Sequence, residues 1–207
     1  MNRRILFTQR VLIKEDYGER WDCADQRIAS FIRACGFVPI PVPNCAESIR
    51  DFFVAVQPAG IVLTGGNSLV RYGGDAPERD ATDAACIRIA IEQHIPIYGF
   101  CRGMQSLLDF FGEMLSNVER HIAVRHGLEG ITQREVNSYH GQACVGLRTD
   151  NFEILARAED GVIEAVRHRK YPLLGVMWHP EREAFFREED IRMIRELFED
   201  DKGEDFL

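Results

Sequence analysis

The first hundred residues alternate short apolar runs with stretches whose apolar residues recur every three or four positions. Arg4 to Thr8 reads as a strand. Ala24 to Cys35 then places Ile28, Phe31, Ile32 and Cys35 at i, i+3, i+4 and i+7, one face of a helix, with Gly36 where a C-terminal cap belongs. Phe37 to Val42 is a second strand, which Pro39 and Pro41 mark as irregular or an edge. A short helix at Ala46 to Val56, a fully apolar strand at Gly60 to Leu63, a helix at Asp80 to Gln93 and a strand at Ile95 to Phe100 follow. Such alternation predicts an α/β fold, a parallel sheet covered by helices on both faces.

The second half changes style. Val136 to Val145, Phe152 to Ala158, Val162 to Arg167 and Leu173 to Met177 read as strands, with Asp160-Gly161 as a hairpin turn. An amphipathic helix runs from about Glu188 to Phe198, and an acidic tail from Glu199 is expected to fray. No repeat, linker or domain boundary interrupts the pattern, so one domain is expected over residues 1–207.

Composition narrows the class. With 45% hydrophobic and 28% charged residues, the chain is of ordinary globular type. A net charge of −8 argues against a nucleic-acid polymer as partner, while leaving room for a local basic pocket. The apolar run in Met1 to Phe7 is too short for a signal peptide and no stretch approaches a membrane span, so a cytoplasmic location without membrane contact is expected. Six cysteines, at 23, 35, 45, 86, 101 and 144, form no metal-like pattern and are expected to be reduced, five of them structural.

The exception is Cys101. Gly99-Phe100-Cys101-Arg102-Gly103-Met104-Gln105 sets a cysteine between two glycines, after an apolar run and before the helical pattern Met104 to Phe111. This is the sulfur form of a nucleophile elbow, a sharp strand-to-helix turn. Side chains on the glycines would crowd the turn, and the helix N-terminus that begins there favours thiolate over thiol. A thiolate needs a base and an orienting group. His179 ends the apolar run Leu173 to Trp178 and is followed by Pro180-Glu181, so a parallel strand would deliver its imidazole to the elbow's edge of the sheet. Glu181 can then return to the far ring nitrogen. Gly65-Gly66, leaving the Gly60 to Leu63 strand, can bring backbone N–H groups close to a ligand as an oxyanion hole.

At this point the chain resembles the class I glutamine amidotransferases, with Cys, His and Glu in that order along the sequence. Within that superfamily it is similar to the free-standing γ-glutamyl hydrolases of the peptidase C26 group. The resemblance rests on Leu63 to Gly66, Gly73 to Asp80, the elbow, Val136 to Gln142 and Gly175 to Glu181. It implies a flavodoxin-like fold with a small antiparallel extension in the second half. It also implies Cys101 as nucleophile, His179 as base, Glu181 as its orienter, and the N–H groups of Gly66 and Arg102 as the oxyanion hole. By the same resemblance Gly65, Gln105, Asn137, Ser138 and Tyr139 belong to the substrate site, with His140 as a substrate contact or a support behind it. The implied reaction cleaves a γ-glutamyl amide through a thioester, with no cofactor and no metal; no metal-holding cluster is evident.

The leaving group is less specified. Chain length, Thr8-Gln9-Arg10 and Gly18 to Asp22 are similar to enzymes that hydrolyse γ-glutamyl-CDP-amidate in capsule phosphoramidate biosynthesis; γ-glutamyl-GABA hydrolases are the alternative. Arg10 and the cluster Arg120, His121, Arg125 and His126 are positioned to neutralise a diphosphate, with Tyr17 and Trp21 available to stack on a base. The competing reading makes these arginines surface charges paired with nearby acids. The expected partner is a small γ-glutamyl substrate, and a homodimer is left open. A glutaminase that serves a separate synthetase, or a non-catalytic binding module, are the rival functions; the intact Cys101, His179 and Glu181 weigh against the last.

Overall fold

A computed structural model describes residues 3–130 and 133–199. The chain opens with β1 (Arg4–Phe7), followed by a hairpin of β2 (Arg10–Lys14) and β3 (Glu19–Cys23). Then come α1 (Gln26–Ala34), β4 (Val38–Pro41), α2 (Ile49–Val56), β5 (Gly60–Leu63), α3 (Pro77–Gln93), β6 (Ile97–Phe100) and α4 (Arg102–Phe110). The remainder comprises β7 (Ser116–Asn117), β8 (Ile122–Gly130), β9 (Glu135–Tyr139), β10 (Gln142–Ala143), β11 (Phe152–Ala158), β12 (Ile163–His168), β13 (Leu173–Val176) and α5 (Glu188–Glu199).

Nine of these strands form one sheet in the order β4-β1-β5-β6-β13-β12-β11-β8-β9. The first five are mutually parallel and the last four continue the sheet in antiparallel fashion. The proline-bearing β4 is an edge strand, as its sequence requires. Along β1, Ile5 and Phe7 face one cluster with α1 and α5, while Leu6 faces the other with α2, α3 and α4. Two fully apolar faces explain why β5, β6 and β13 read as unbroken hydrophobic runs.

Local chemistry sets the element ends. Asp25 caps α1 by accepting a 2.9 Å bond from the Arg27 N–H, and Gly36 closes it at φ +90°. Pro77 begins α3 one turn before the expected Asp80. The Asp160-Gly161 turn joins β11 and β12 as expected, with Gly161 at φ +88°.

Several expectations change. The stretch Val136 to Val145 is two strands, β9 and β10, broken at His140-Gly141 and paired with different partners. The β2–β3 hairpin and β8 carry no clean apolar alternation and were not anticipated; β3 is almost wholly exposed. No described helix is long and apolar enough to cross a membrane. All six cysteines are unpaired. The acidic tail expected to fray lies, beyond Glu199, outside the described residues.

Candidate active site

The elbow is a close approach of strand and helix. A side chain on Gly103 would collide with the Leu63 carbonyl, and one on Gly99 would sit 2.7 Å from the Gly103 carbonyl carbon. Between them Cys101 adopts φ 50°, ψ −109°, a conformation that non-glycine residues rarely hold. Its N–H is anchored to the Val176 carbonyl of β13 at 2.8 Å, so the strand that carries His179 also fixes the elbow.

β13 runs parallel to β6 with Val176 opposite Phe100, which places His179 beyond the same edge as Cys101. His179 Nδ1 lies 2.6 Å from Glu181 Oε1, and both side chains are buried. Burial acts to lower the imidazole pKa. The neighbouring Cys101 sulfur and, after it, the Glu181 carboxylate overcome it, raising His179 to about 9. A Cβ on Gly65 would lie 2.6 Å from the His179 ring, so the glycine loop passes directly beneath the imidazole. Gly66 follows at φ +96°, and Arg102, as the first residue of α4, has an N–H with no intrahelical acceptor. Sulfur, imidazole, carboxylate and two backbone donors therefore surround the point where β5, β6 and β13 end.

Two buried arginines hold this arrangement. Arg79 donates to the carbonyls of Thr64 (2.7 Å), Gly65 (3.0 Å) and Gly66 (2.9 Å), and to Thr64 Oγ1 and Asn67 Oδ1. Burial, followed by the repulsion of Arg102, lowers its pKa to about 9. The Arg102 side chain instead ties α4 to α3 through Asp80 and Asp83, and donates to Ser106 of its own helix. Sequence reasoning assigned Arg79 no role. Its signal was a charged Arg79-Asp80 pair, with Asp83 one turn on, in a helix that must also pack on the sheet.

The other expected site residues divide into two groups. Gln105 is buried, and its amide nitrogen donates to the Gln142 carbonyl at 2.8 Å. Tyr139 is half-exposed, its ring edge-on to His179 at 5.6 Å and covered by the Arg182 guanidinium. Arg10 lies against Gly66, 3.0 Å from a Cβ built there, and so borders the Gly65-Gly66 loop. Tyr139 and Arg10 thus border the site, while Gln105 lies one turn of α4 after Cys101.

The remainder make other contacts. Asn137, expected on the substrate, brackets His179: its Oδ1 accepts from the His179 N–H and its Nδ2 donates to the His179 carbonyl, each at 2.9 Å. Ser138 is fully buried and donates to the His121 carbonyl at 2.6 Å. His121, expected at a diphosphate, is buried, 2.9 Å from Asp160 and 3.5 Å from Glu164. His140 is likewise buried against Glu164 at 3.3 Å. Arg125 pairs with Glu183. His121, Arg125 and His126 thus face acids brought from distant parts of the chain, a pairing invisible to local sequence. Trp21 is exposed on the hairpin, its indole donating to Glu19 and its ring covered by Lys14. Against the expectation that no cluster suits a metal, His121, His126, His140 and Glu164 bring ligand atoms within 4.8 Å of one another.

Known proteins share this architecture. The chain is 30% identical over 194 residues to γ-glutamyl-CDP-amidate hydrolase of Campylobacter jejuni, covering 92% of this chain and 95% of that one. It is 34% identical to γ-glutamyl-γ-aminobutyrate hydrolase of Escherichia coli O157:H7, covering 88% and 86%. The crystal structure of a candidate GMP synthase subunit from Thermoplasma acidophilum superposes with a TM-score of 0.70 at 16% identity, over 96% of this chain and 94% of that one. The model of the family described as glutamine amidotransferase class-I matches residues 22–200, a span containing the elbow, the glycine loop and the His179–Glu181 pair; this chain belongs to that family.

Proposed function

We propose that this protein hydrolyses a γ-glutamyl amide through a thioester on Cys101. The observation that carries the reading is the placement of a strained Cys101 at a helix N-terminus beside a His179 paired at 2.6 Å with Glu181. The Cys101 sulfur attacks the γ-carbonyl, and the oxyanion accepts hydrogen bonds from the Gly66 and Arg102 N–H groups. His179, protonated in the ion pair, gives its proton to the departing nitrogen as the C–N bond breaks. Water then attacks the thioester while His179 removes its proton; glutamate leaves and the thiolate returns. Glu181 stabilises the imidazolium and holds its tautomer throughout.

For the leaving group we favour cytidine diphosphoramidate, the product of a γ-glutamyl-CDP-amidate in capsule phosphoramidate biosynthesis. Support comes from the relative matched along 95% of its length and from Arg10 at the oxyanion loop, where a phosphoryl group bonded to the amide nitrogen would pass. With His121 and Arg125 committed to acids, Arg10 is the expected phosphate contact that borders the Gly65-Gly66 loop. A γ-glutamyl-γ-aminobutyrate substrate is the second reading, favoured by the 34% identity to that hydrolase; Arg10 would there meet a carboxylate.

A panel of glutamine, γ-glutamyl-γ-aminobutyrate and γ-glutamyl-CDP-amidate tests both levels. The nucleotide compound should have the highest kcat/KM, and Arg10→Ala should erase most of that preference. Equal rates on all three would remove the nucleotide assignment and leave the amide hydrolysis standing. A glutamine-like diazoketone should alkylate Cys101; labelling elsewhere with Cys101 untouched would refute the mechanism itself.

A further inference from the structure

Three histidines converge on one carboxylate next to the active site. Glu164 of β12 has no exposed area, yet neither of its oxygens has a hydrogen-bond partner among the described residues. Around its Oε1 stand His121 Nδ1 at 3.5 Å, His126 Nε2 at 3.6 Å and His140 Nε2 at 3.3 Å. None of these contacts qualifies as a hydrogen bond, for which N–H···O is normally about 2.9–3.0 Å. His126 Nε2 and His140 Nε2 are also buried without any partner among the described residues. Stranding a carboxylate and two imidazole nitrogens together in this way is costly unless something else occupies their common centre.

We propose that His121 Nδ1, His126 Nε2, His140 Nε2 and Glu164 Oε1 form a binding site for one divalent transition ion of the zinc class. Zinc bonds to nitrogen and oxygen of about 2.0–2.1 Å put tetrahedral ligand atoms roughly 3.3 Å apart, close to the three nitrogen-to-carboxylate separations here. All four ligand atoms fall within 4.8 Å of one another, so modest contraction of the wider pairs completes the shell. Three imidazoles select zinc, nickel, copper or iron over magnesium and calcium.

Outer contacts fit the same role. His121 Nε2 lies 2.9 Å from Asp160 Oδ2, a carboxylate–histidine pair that leaves Nδ1 free to ligate. The Ser138 hydroxyl, 3.4 Å from that Nδ1, is already committed to the His121 carbonyl. His126 turns its other nitrogen, Nδ1, towards the Gly127 carbonyl at 3.4 Å. Both tautomers thereby present the inner nitrogen as a lone pair. Glu164 also reaches the active site, since its carbonyl accepts the Met177 N–H at 2.8 Å, just before Trp178-His179. The ion would tie β8 and the end of β9 to β12, across the intervening β11. Asn137, which brackets His179, lies on β9, so the ion acts as a positioning element rather than a reacting one.

The test uses the full chain, stripped with a strong chelator and titrated with Zn²⁺ or Co²⁺. Cys101→Ser supplies the background, because Cys101 and His179 are themselves capable metal ligands. That variant should bind one equivalent of Zn²⁺, gain melting temperature on binding, and give Co²⁺ the visible bands of a four-coordinate ion without sulfur-to-metal charge transfer. His126→Ala and Glu164→Gln, each in that background, should weaken binding at least about 100-fold, and Asp160→Asn about 10–100-fold. Circular dichroism of each variant separates lost binding from lost fold, and His126, the least buried ligand, is the one whose removal disturbs packing least. Failure of Cys101→Ser to bind an equivalent, a sulfur band that vanishes with Cys101, or unchanged affinity in folded His126→Ala would each overturn the site.

Discussion

Arg79→Met asks whether the oxyanion loop is held by a buried cation. The side chain is fully buried and its charge meets carbonyl oxygens of three successive residues, 64 to 66, plus Thr64 Oγ1 and Asn67 Oδ1. Methionine fills similar space but donates nothing, so three carbonyls lose a partner at about 1–3 kcal/mol each. Removing a desolvated guanidinium offsets part of that loss, leaving a net destabilisation of about 2–4 kcal/mol. For a chain of this size the melting temperature should fall by roughly 2–4 °C per kcal/mol. The kinetic effect is separable. Gly66 leaves the strand with φ +96°, and without Arg79 nothing of comparable strength aims its N–H at the oxyanion. Deleting an oxyanion donor costs about 10²–10³ in kcat; misaiming one should approach the lower end, about 10², with KM little changed. Steady-state hydrolysis of a γ-glutamyl anilide, run well below the variant's melting temperature, reads this directly. A lowered melting temperature with unchanged kcat would refute the reasoning, because Arg79 would then hold the fold without setting the donor.

Three further outcomes follow from the same geometry. Cys101→Ser removes the charge that counters burial of His179, so the imidazole pKa should drop from about 9 in an NMR titration; an unmoved value would mean Glu181 alone sustains it. Because His179 is raised above its ordinary value of 6.5, its stabilising contribution is complete below about pH 6.5 and is lost as pH rises through about 9, and Cys101→Ser should flatten the stability profile across that window. Gly103→Ala puts a methyl into the Leu63 carbonyl, and despite better helix propensity it should cost about 1–3 kcal/mol in urea unfolding; an unchanged midpoint would deny the close approach. Asn137→Leu strips both bonds from the His179 backbone and should lower kcat about 10²-fold with KM nearly constant, whereas an equal rise in KM would return Asn137 to the substrate.

The parallel half of the fold was legible because burial on two faces imposes a simple pattern. β5, β6 and β13 are continuous apolar runs, and α1 keeps its buried residues at helical spacing. The β2–β3 hairpin and β8 obey no such pattern. Their stability comes from cross-strand pairing and from polar docking, as where Asn67 exchanges 2.8 and 3.0 Å bonds with the Val11 backbone. Edge strands with solvent on one side carry weak alternation, and Arg-His-Gly within β8 carries none. The same blindness moved Arg120 to His126 from a strand to a presumed phosphate patch.

The six histidines show where sequence information stops. His179 could be singled out because its evidence is local: a buried strand, a proline and an acid two residues on, all within one turn of chain. His121, His126 and His140 share none of that. They meet because β8 pairs with β9 through a register shift between Ile122 and Val124, and because β12 carries Glu164 to them from across β11. His140 lies fourteen positions after His126 and Glu164 twenty-four after His140, spacings typical of no metal motif. Each residue alone reads as a surface charge or a substrate contact. Only the strand register converts them into four converging ligand atoms, so a cluster of this kind is encoded in pairing rather than in spacing. The His179–Glu181 pair shows no such dispersal: the imidazole meets its carboxylate at 2.6 Å, and Pro180 between them turns the chain so that two neighbours in sequence can pair.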